Sequence, residues 1–388
     1  MILSIEALQA KEGDCLILHY GDIDNPQMVL IDGGPKGIYK NYLRPRLLDI
    51  KQKLSPGEPL PLAMVMVSHA DDDHINGIEM LTNELVDQKE GQHPPSFEIK
   101  RFWFNGFDDI IGNTEVSSFI ATGSLPAPTD ENTANTAAVI ASTGQGRKVL
   151  SNAVTLGLPL NDPFKPLKEG HAKLVRGDTE NSKVHLTENV SLHVVHPNHQ
   201  RLVELQKKWD DDLKKAKEDN DPSIMVSSLI SYDKSPFNLS SIVCLVEHGN
   251  LKILLTGDGR SDDIFYGLEN AGLLDADGRL HVNILKMPHH GSKANMTDEF
   301  LQKITADHYV ISADGKHSNP DQEVLNMFLA NVTSGTLHLT NHAGKLDLKD
   351  KLDAFIQTLK NTGSDLQVSF PKDGASSKII NLLQEVDF

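Results

Sequence analysis

The segment VSHADDDHINGIEM, residues 67–80, gathers His69, Asp71, Asp73 and His74 within six positions. Imidazole nitrogens and carboxylate oxygens are donors that divalent metals take, and a short loop between a buried strand and a helix can turn several of them towards one point. An acidic helix N-terminus alone would account for the Asp residues, which cap free N–H groups and favour the helix dipole. It would not account for a histidine at each end. Histidine is prominent throughout, with 17 copies against 6 Tyr and 2 Trp, and it gathers beside Asp and Gly at the ends of apolar runs.

The elements that must position these side chains are legible around them. Residues 2–8, 14–20 and 28–31 read as strands, with a hairpin ending at Asp32-Gly33-Gly34. A polar stretch over residues 44–61 carries a short helix. The run AMVMVS is a strand of the kind buried on both faces, and it stops at His69. Residues 76–85 read as a helix, and FEIKRFWFNG as one more strand with its turn. From 113 the texture turns to Thr, Ser, Asn and Gly. This stretch, 113–235, reads as an insertion holding a helix (ENTANTAAVIAS), a strand (NVSLHVVHP) and a charged surface helix over 199–220. His193 and His196 lie on that strand and read as strand-face residues. Then SSIVCLVEHGNLKILLTGDG forms a hairpin ending at Asp258-Gly259, and HVNILKMPHHGS a buried strand ending in histidine. A helix, the strand HYVISA and another helix follow. The order of hairpin, Asp-Gly, helix and strand ending in His thus occurs twice. It predicts two halves, 1–105 and 236–388, with their strand ends along one edge of two stacked sheets.

Composition bounds the function. A chain of 388 residues holds either two domains or one large α/β domain with insertions. Its net charge of −17 supplies no chain-wide basic field, so nucleic acid would need a local patch. Cys15 and Cys244 sit in apolar runs, which excludes a disulfide framework and a cysteine zinc site and fits a reducing compartment. No leader pattern opens the sequence and no 18-residue apolar window occurs, so a cytoplasmic protein without membrane contact is expected.

The pattern His69-x-Asp71-x-Asp73-His74 followed by Gly77 resembles the metal-binding motif of the metallo-β-lactamase superfamily, in the Asp-substituted form of the ComEC competence-protein hydrolase domain. Further segments match in order. EGDCLIL leading to MVLIDGGP resembles the opening hairpin, NLSSIVCLVEHGNLKILLTGDG the segment with the bridging aspartate, ILKMPHHGSKAN the late His motif, and GKHSNPDQEVL the Gly-His-Pro-rich loop. The likeness spans roughly residues 1–105 and 236–350. It implies a four-layer αββα sandwich over 1–388, interrupted by the 113–235 insertion. It also implies one or two divalent ions held by His69, Asp71, Asp73, His74, Asp258 and at least one of His289 and His290. Asp32 would orient a ligand histidine from behind. Asp73, Lys286 and His317 are the expected catalytic residues, with Lys286 and His317 as phosphate or leaving-group contacts. His342 is a weaker candidate.

From a Gly-flanked turn, Asp258 can offer its two oxygens to two cations. Metals about 3.5–4 Å apart would share a hydroxide whose pKa falls towards about 7. Two departures matter. Most members of the superfamily carry His where Asp71 stands, and they add a middle His where this chain offers Asn238, Ser240 and Ser241. One site would then hold His69, Asp71 and Asp258. The other would hold Asp73, His74, Asp258 and a His of the pair 289/290. Oxygen-rich ligands favour Mn²⁺ or Mg²⁺, whereas affinity order favours Zn²⁺. The expected activity is metal-dependent cleavage of a phosphodiester, by a nuclease or small-nucleotide phosphodiesterase, with DNA held by a local patch only. The alternatives are hydrolysis of an amide, lactone or thioester, and a catalytically idle metal-stabilised binding or regulatory protein.

Overall fold

The computed structural model describes residues 1–106, 109–110, 131–166, 172–218 and 240–388. Strands β1 (Ile2–Leu8), β2 (Leu16–Asp22) and β3 (Asn25–Ile31) form an antiparallel meander. Helix α1 (Arg44–Leu54) and the short strand β4 (Leu60–Leu62) lead to β5 (Met64–Met66), parallel to β3. Helix α2 (Asp72–Glu90) begins inside the His/Asp motif, with Asp72 and Asp73 in its first turn. Next come β6 (Phe97–Ile99), β7 (Phe102–Trp103), α3 (Glu131–Leu156), β8 (Lys183–His185), β9 (Val190–His196) and α4 (His199–Glu218). The rest of the chain runs β10 (Val243–His248), β11 (Leu251–Leu255), α5 (Ser261–Asn270), β12 (Leu280–Lys286), α6 (Asp298–Lys303), β13 (Ile304–Ile311), α7 (Gln322–Asn331), β14 (Ser334–Leu339), α8 (Leu348–Thr362), β15 (Asp365–Ser369) and β16 (Ser377–Asn381).

These strands build a six-stranded sheet, β16-β1-β2-β3-β5-β7, and an eight-stranded sheet, β15-β14-β13-β12-β11-β10-β9-β8, beside the small pair β4-β6. The two large sheets stack because their strands alternate. Leu3, Ile5 and Ala7 of β1 and Leu16 and Leu18 of β2 share one buried cluster with Leu192, Cys244, Val246, Ile253 and Ile284 of the second sheet. Ile2, Leu8 and Ile17 turn the other way, against Leu47 and Ile50 of α1 and Ile75, Ile78 and Leu81 of α2. On the far side of the second sheet, Leu245, Leu254 and Tyr309 pack against Ile264 of α5, Phe328 of α7 and Phe355 of α8. Helices therefore cover both outer faces of two stacked sheets. Each fully buried Leu, Ile or Phe contributes about 1.5–3 kcal/mol by leaving water.

The doubled order read from the sequence has a direct counterpart. β2 and β3 pair antiparallel and β3 lies parallel to β5; β10 and β11 pair antiparallel and β11 lies parallel to β12. The halves are interleaved rather than separate, because β16 returns to flank β1 in the first sheet. Two expectations need revising. FEIKRFWFNG splits into β6 and β7, which join different sheets. The expected insertion is partly woven into the sandwich, since β8 and β9 complete the edge of the second sheet. Residues 113–130, 167–171 and 219–235 of it lie outside the described residues, as does Asn238. No described helix is long and apolar enough to cross a membrane.

Candidate metal centre

The ends of β3, β5, β11 and β12 meet at one edge of the stack. The Asp32 amide bonds the Met66 carbonyl at 2.9 Å, the Ile242 amide bonds the Ser68 carbonyl at 2.9 Å, and the His289 amide bonds the Gly257 carbonyl at 3.1 Å. This stitching fixes four histidines by one ring nitrogen each. His74 Nδ1 lies 2.8 Å from Asp32 Oδ2, His69 Nδ1 3.0 Å from Ser68 Oγ, His289 Nδ1 2.7 Å from Asn295 Oδ1, and His290 Nδ1 2.9 Å from the Ser312 carbonyl. All four Nε2 atoms consequently turn inward, towards Asp258.

Asp258 is buried and sits in the middle of these rings. Its Oδ1 is 3.3 Å from His74 Nε2 and 3.6 Å from His290 Nε2. Its Oδ2 is 3.7 Å from His69 Nε2 and 3.5 Å from His289 Nε2. Asp71 joins the Oδ2 side, 3.5 Å from His69 Nε2, and Asp73 joins the Oδ1 side, 3.5 Å from His290 Nε2. The late pair of histidines therefore divides, one ring to each oxygen of Asp258. The aspartate is itself held by its amide to Ser241 Oγ at 3.3 Å, and its carbonyl accepts Asn295 Nδ2 at 2.8 Å.

The donor set fits divalent cations. His69 Nε2 and Asp258 Oδ1 are buried without a hydrogen-bond partner. Asp14, His74, Asp258 and His290 each offer a ligand atom within 4.8 Å of the others. Burial opposes the charged forms here, but the surrounding charges win. His289, His74, His290 and His69 hold the Asp258 carboxyl well below its usual range. Asp258 and Asp14 push His290 up to about 10, and Asp258, Asp32 and Asp73 push His74 well up. Such a cluster is built to take up positive charge.

Asp32 lies behind the centre. It accepts the Ser68 amide and hydroxyl, each at 2.7 Å, as well as His74. Its φ of 58° is a left-handed value held by those three bonds. Lys286 differs from expectation as a substrate contact. Its ammonium is buried, 2.7 Å from Asp14 Oδ2, and donates to the Met287 carbonyl at 3.0 Å. A lysine so enclosed balances Asp14. His317 is exposed on the loop that ends in the Lys316–Ser318 turn. Burial of its ring and the nearby Lys316 hold its pKa down, while Asp73 and Glu12 act the other way. His342 pairs with Asp353 at 2.7 Å and His193 Nε2 lies 3.4 Å from Ser182 Oγ, so neither joins the cluster.

Asp14 is the residue that sequence reading missed. It lies in EGDCLIL, where Gly-Asp reads as an ordinary turn. The clue is Gly13, whose missing side chain lets the backbone pack on the motif loop: an added Cβ would sit 1.9 Å from the Asp73 carbonyl.

No family model matches the chain. It is 31% identical over 100 residues to ComE operon protein 3 of Bacillus subtilis (strain 168), a match covering 24% of this chain and 12% of that protein. The chain thus matches only a small part of that relative's length. Among solved structures, the isothiocyanate hydrolase from Delia radicum gut bacteria matches over 97% of this chain and 98% of its own, at 11% identity and a TM-score of 0.35.

Proposed function

We propose that the chain is a divalent-metal-dependent hydrolase of the metallo-β-lactamase type that cleaves phosphodiesters. The observation that carries this reading is the division of labour at Asp258, with one oxygen facing His74 and His290 and the other facing His69 and His289. The stacked sheets with helices outside, and the partial match to a ComE protein, support the same reading.

In this reading His69, His289 and Asp71 together with Asp258 would hold one divalent ion, and His74, His290 and Asp73 together with Asp258 another. Divalent ions bound there supply Lewis acidity and lower the pKa of water to about 7. Asp32, Ser68, Asn295 and the Ser312 carbonyl keep each ring in the tautomer that leaves Nε2 free to ligate. Asp73, partly exposed at the mouth, is kept ionised by His74 and His290 although burial opposes it, and would hold a water at the centre by hydrogen bonding rather than take its proton. His317, exposed on its loop and within the field of Asp73 and His289, would donate to a leaving-group oxygen, its lowered pKa keeping it neutral at pH 7.

The test is turnover of bis-p-nitrophenyl phosphate after chelation and controlled return of Mn²⁺ or Zn²⁺. Turnover should need metal, and Asp258→Ala should lose at least about a hundredfold while keeping its circular dichroism. Bound metal with no turnover of phosphate, amide, lactone or thioester esters would instead favour an idle binding protein.

A further inference from the structure

Two lysines on loops that follow strands of the second sheet gather around Glu12, two residues before Asp14 of the centre. Lys316 Nζ bonds Glu12 Oε1 at 2.6 Å, while Lys345 Nζ lies 3.7 Å from Glu12 Oε2 and 3.3 Å from Asp314 Oδ2. Exposure decides which way these pairs face. The Glu12 and Asp314 side chains are 12% exposed, against 41% for Lys316 and 52% for Lys345. The carboxylates therefore stand behind and the ammonium groups in front. The acids hold the lysines in place and leave their outer N–H groups towards solvent.

This patch is tied to the metal centre through backbone. Glu12 precedes Gly13, whose carbonyl accepts Ser312 Oγ at 2.6 Å, and the Ser312 carbonyl fixes His290. The Asp14 amide bonds the Asp73 carbonyl at 3.2 Å. Lys316 and His317 both feel the charge of Asp73. The loop that presents them is preformed. The Lys345 amide bonds the Asp314 carbonyl at 2.6 Å, and at Gly315, with φ of 88°, an added Cβ would meet the Lys345 carbonyl at 2.0 Å. Lys351 Nζ ties down the Ser318 and Pro320 carbonyls at 2.6 and 2.8 Å. His317 and Ser318 are held at φ of 56° and 66°, values that persist only where surrounding contacts impose them.

We propose that Lys316 and Lys345 form a subsite for a second phosphate of the substrate, next to the phosphate taken at the metal centre. This rests on the phosphodiester reading above and narrows it to a nucleotide or oligonucleotide carrying a flanking phosphate. A lone phosphodiester would be satisfied by the metal centre itself. Ammonium groups set on the rim and aimed outward serve the neighbouring anion, which lysine binds as a point charge. In a chain of net charge −17 the two ammonium groups, each with a carboxylate behind it, are exposed cations that a flanking phosphate can meet.

The experiment is calorimetric titration of metal-loaded protein with thymidine 5′-monophosphate and with thymidine 3′,5′-bisphosphate. The wild type should bind the bisphosphate at least about tenfold more tightly, and Lys316→Met should erase that preference while its melting temperature stays unchanged. Lys345→Met should reduce it. Equal binding of the two nucleotides by the wild type, or an undiminished preference in Lys316→Met, overturns the proposal. Turnover of bis-p-nitrophenyl phosphate separates the two readings. No turnover with an intact preference refutes the hydrolase and leaves the subsite standing, whereas turnover with no preference refutes the subsite alone.

Discussion

His74 and His290 face each other through their Nε2 atoms at 3.2 Å, although each ring already has its Nδ1 engaged, by Asp32 and by the Ser312 carbonyl. With Nδ1 carrying the proton those acceptors require, neutral rings meet lone pair to lone pair, and Asp258 Oδ1 stands 3.3 Å from the first of them. Electron-rich atoms so placed repel one another unless a cation or a proton lies among them. The spacing suits a metal, because two ligands on a tetrahedral ion with bonds of 2.0–2.1 Å stand about 3.3 Å apart. The arrangement is imposed from outside, by Asp32 on the first sheet and Ser312 on the second.

For a metal held at this centre, Asp32 would act through His74. Asp32→Asn keeps an acceptor for the Ser68 amide but removes the carboxylate that orients and charges the ring. Metal affinity, read by competition with a fluorescent chelator, should fall by about 10–100-fold. Affinity within twofold of wild type would show that Ser68 alone holds the ring.

Lys286 yields a prediction opposite to the one its sequence invites. As a substrate contact, its loss would raise KM and leave stability alone. Buried against Asp14, its loss strands a carboxylate, and breaking a buried pair in this way costs about 3–5 kcal/mol. Urea unfolding of Lys286→Met should show a loss of that order, and Asp14→Asn combined with Lys286→Met should recover much of it. A stable single variant with a raised KM would restore the substrate role.

The contrast shows which parts of the site were open to sequence reading. His69, Asp71, Asp73 and His74 are adjacent in the chain, so their types and spacing announce a shared task. Asp14 and Lys286 are 272 residues apart and meet only because the two sheets stack, which no local pattern encodes. The same holds for His289 and His290. Their adjacency suggested alternatives, whereas positive φ values at both, 45° and 56°, turn the rings to opposite oxygens of Asp258. The hairpins and β5 were legible from apolar runs bounded by turns. The split of β6 from β7 was not, because FEIKRFWFNG reads as one continuous run across the break at Lys100 and Arg101. NVSLHVVHP was legible as a strand and is β9, but its place in the second sheet was not; β8 was hidden by the polar texture around it, and β16 by its distance from the β1 it joins.

A second stability test concerns Glu6, away from the metals. It is fully buried and accepts Arg46 through both oxygens, at 2.7 and 3.1 Å, as well as His19 at 2.9 Å. Burial alone would raise its pKa, but His19 and Arg46 lower it from 4.5 to about 2. A depressed carboxyl stabilises the fold above its unfolded pKa, and that contribution drains away as pH falls from about 4.5 towards about 2. The shift is worth about 3 kcal/mol. Glu6→Gln should thus be less stable by about that amount at pH 7, with the gap narrowing at pH 4 and reduced to about a quarter at pH 2.5 in urea unfolding. A gap independent of pH would mean that shape, not charge, makes Glu6 necessary.

The last prediction concerns how many metals bind and which. Sequence reading left one site short of nitrogen, with a single histidine beside Asp71. The structure brings two imidazoles to each oxygen of Asp258, so each position has two nitrogens, the shared carboxylate and either Asp71 or Asp73. Two such sets predict two ions per chain with separable loss. His289→Ala should cost the ion beside His69 and Asp71, and His290→Ala the ion beside His74 and Asp73, each lowering metal content by about one equivalent in elemental analysis of dialysed protein. Two nitrogens are enough for Zn²⁺, which the affinity order places above Mn²⁺. Two carboxylates still make each set richer in oxygen than a three-histidine zinc site, and harder ions exchange into such ligands more readily. Zn²⁺ should accordingly be the tighter metal, while Mn²⁺ returned to stripped protein should give the higher turnover. Loss of both ions from either single variant would mean that the second position fills only after the first, with Asp258 coupling them. Maximal activity with tightly held zinc and no gain from Mn²⁺ would show that the nitrogens, not the carboxylates, set the choice.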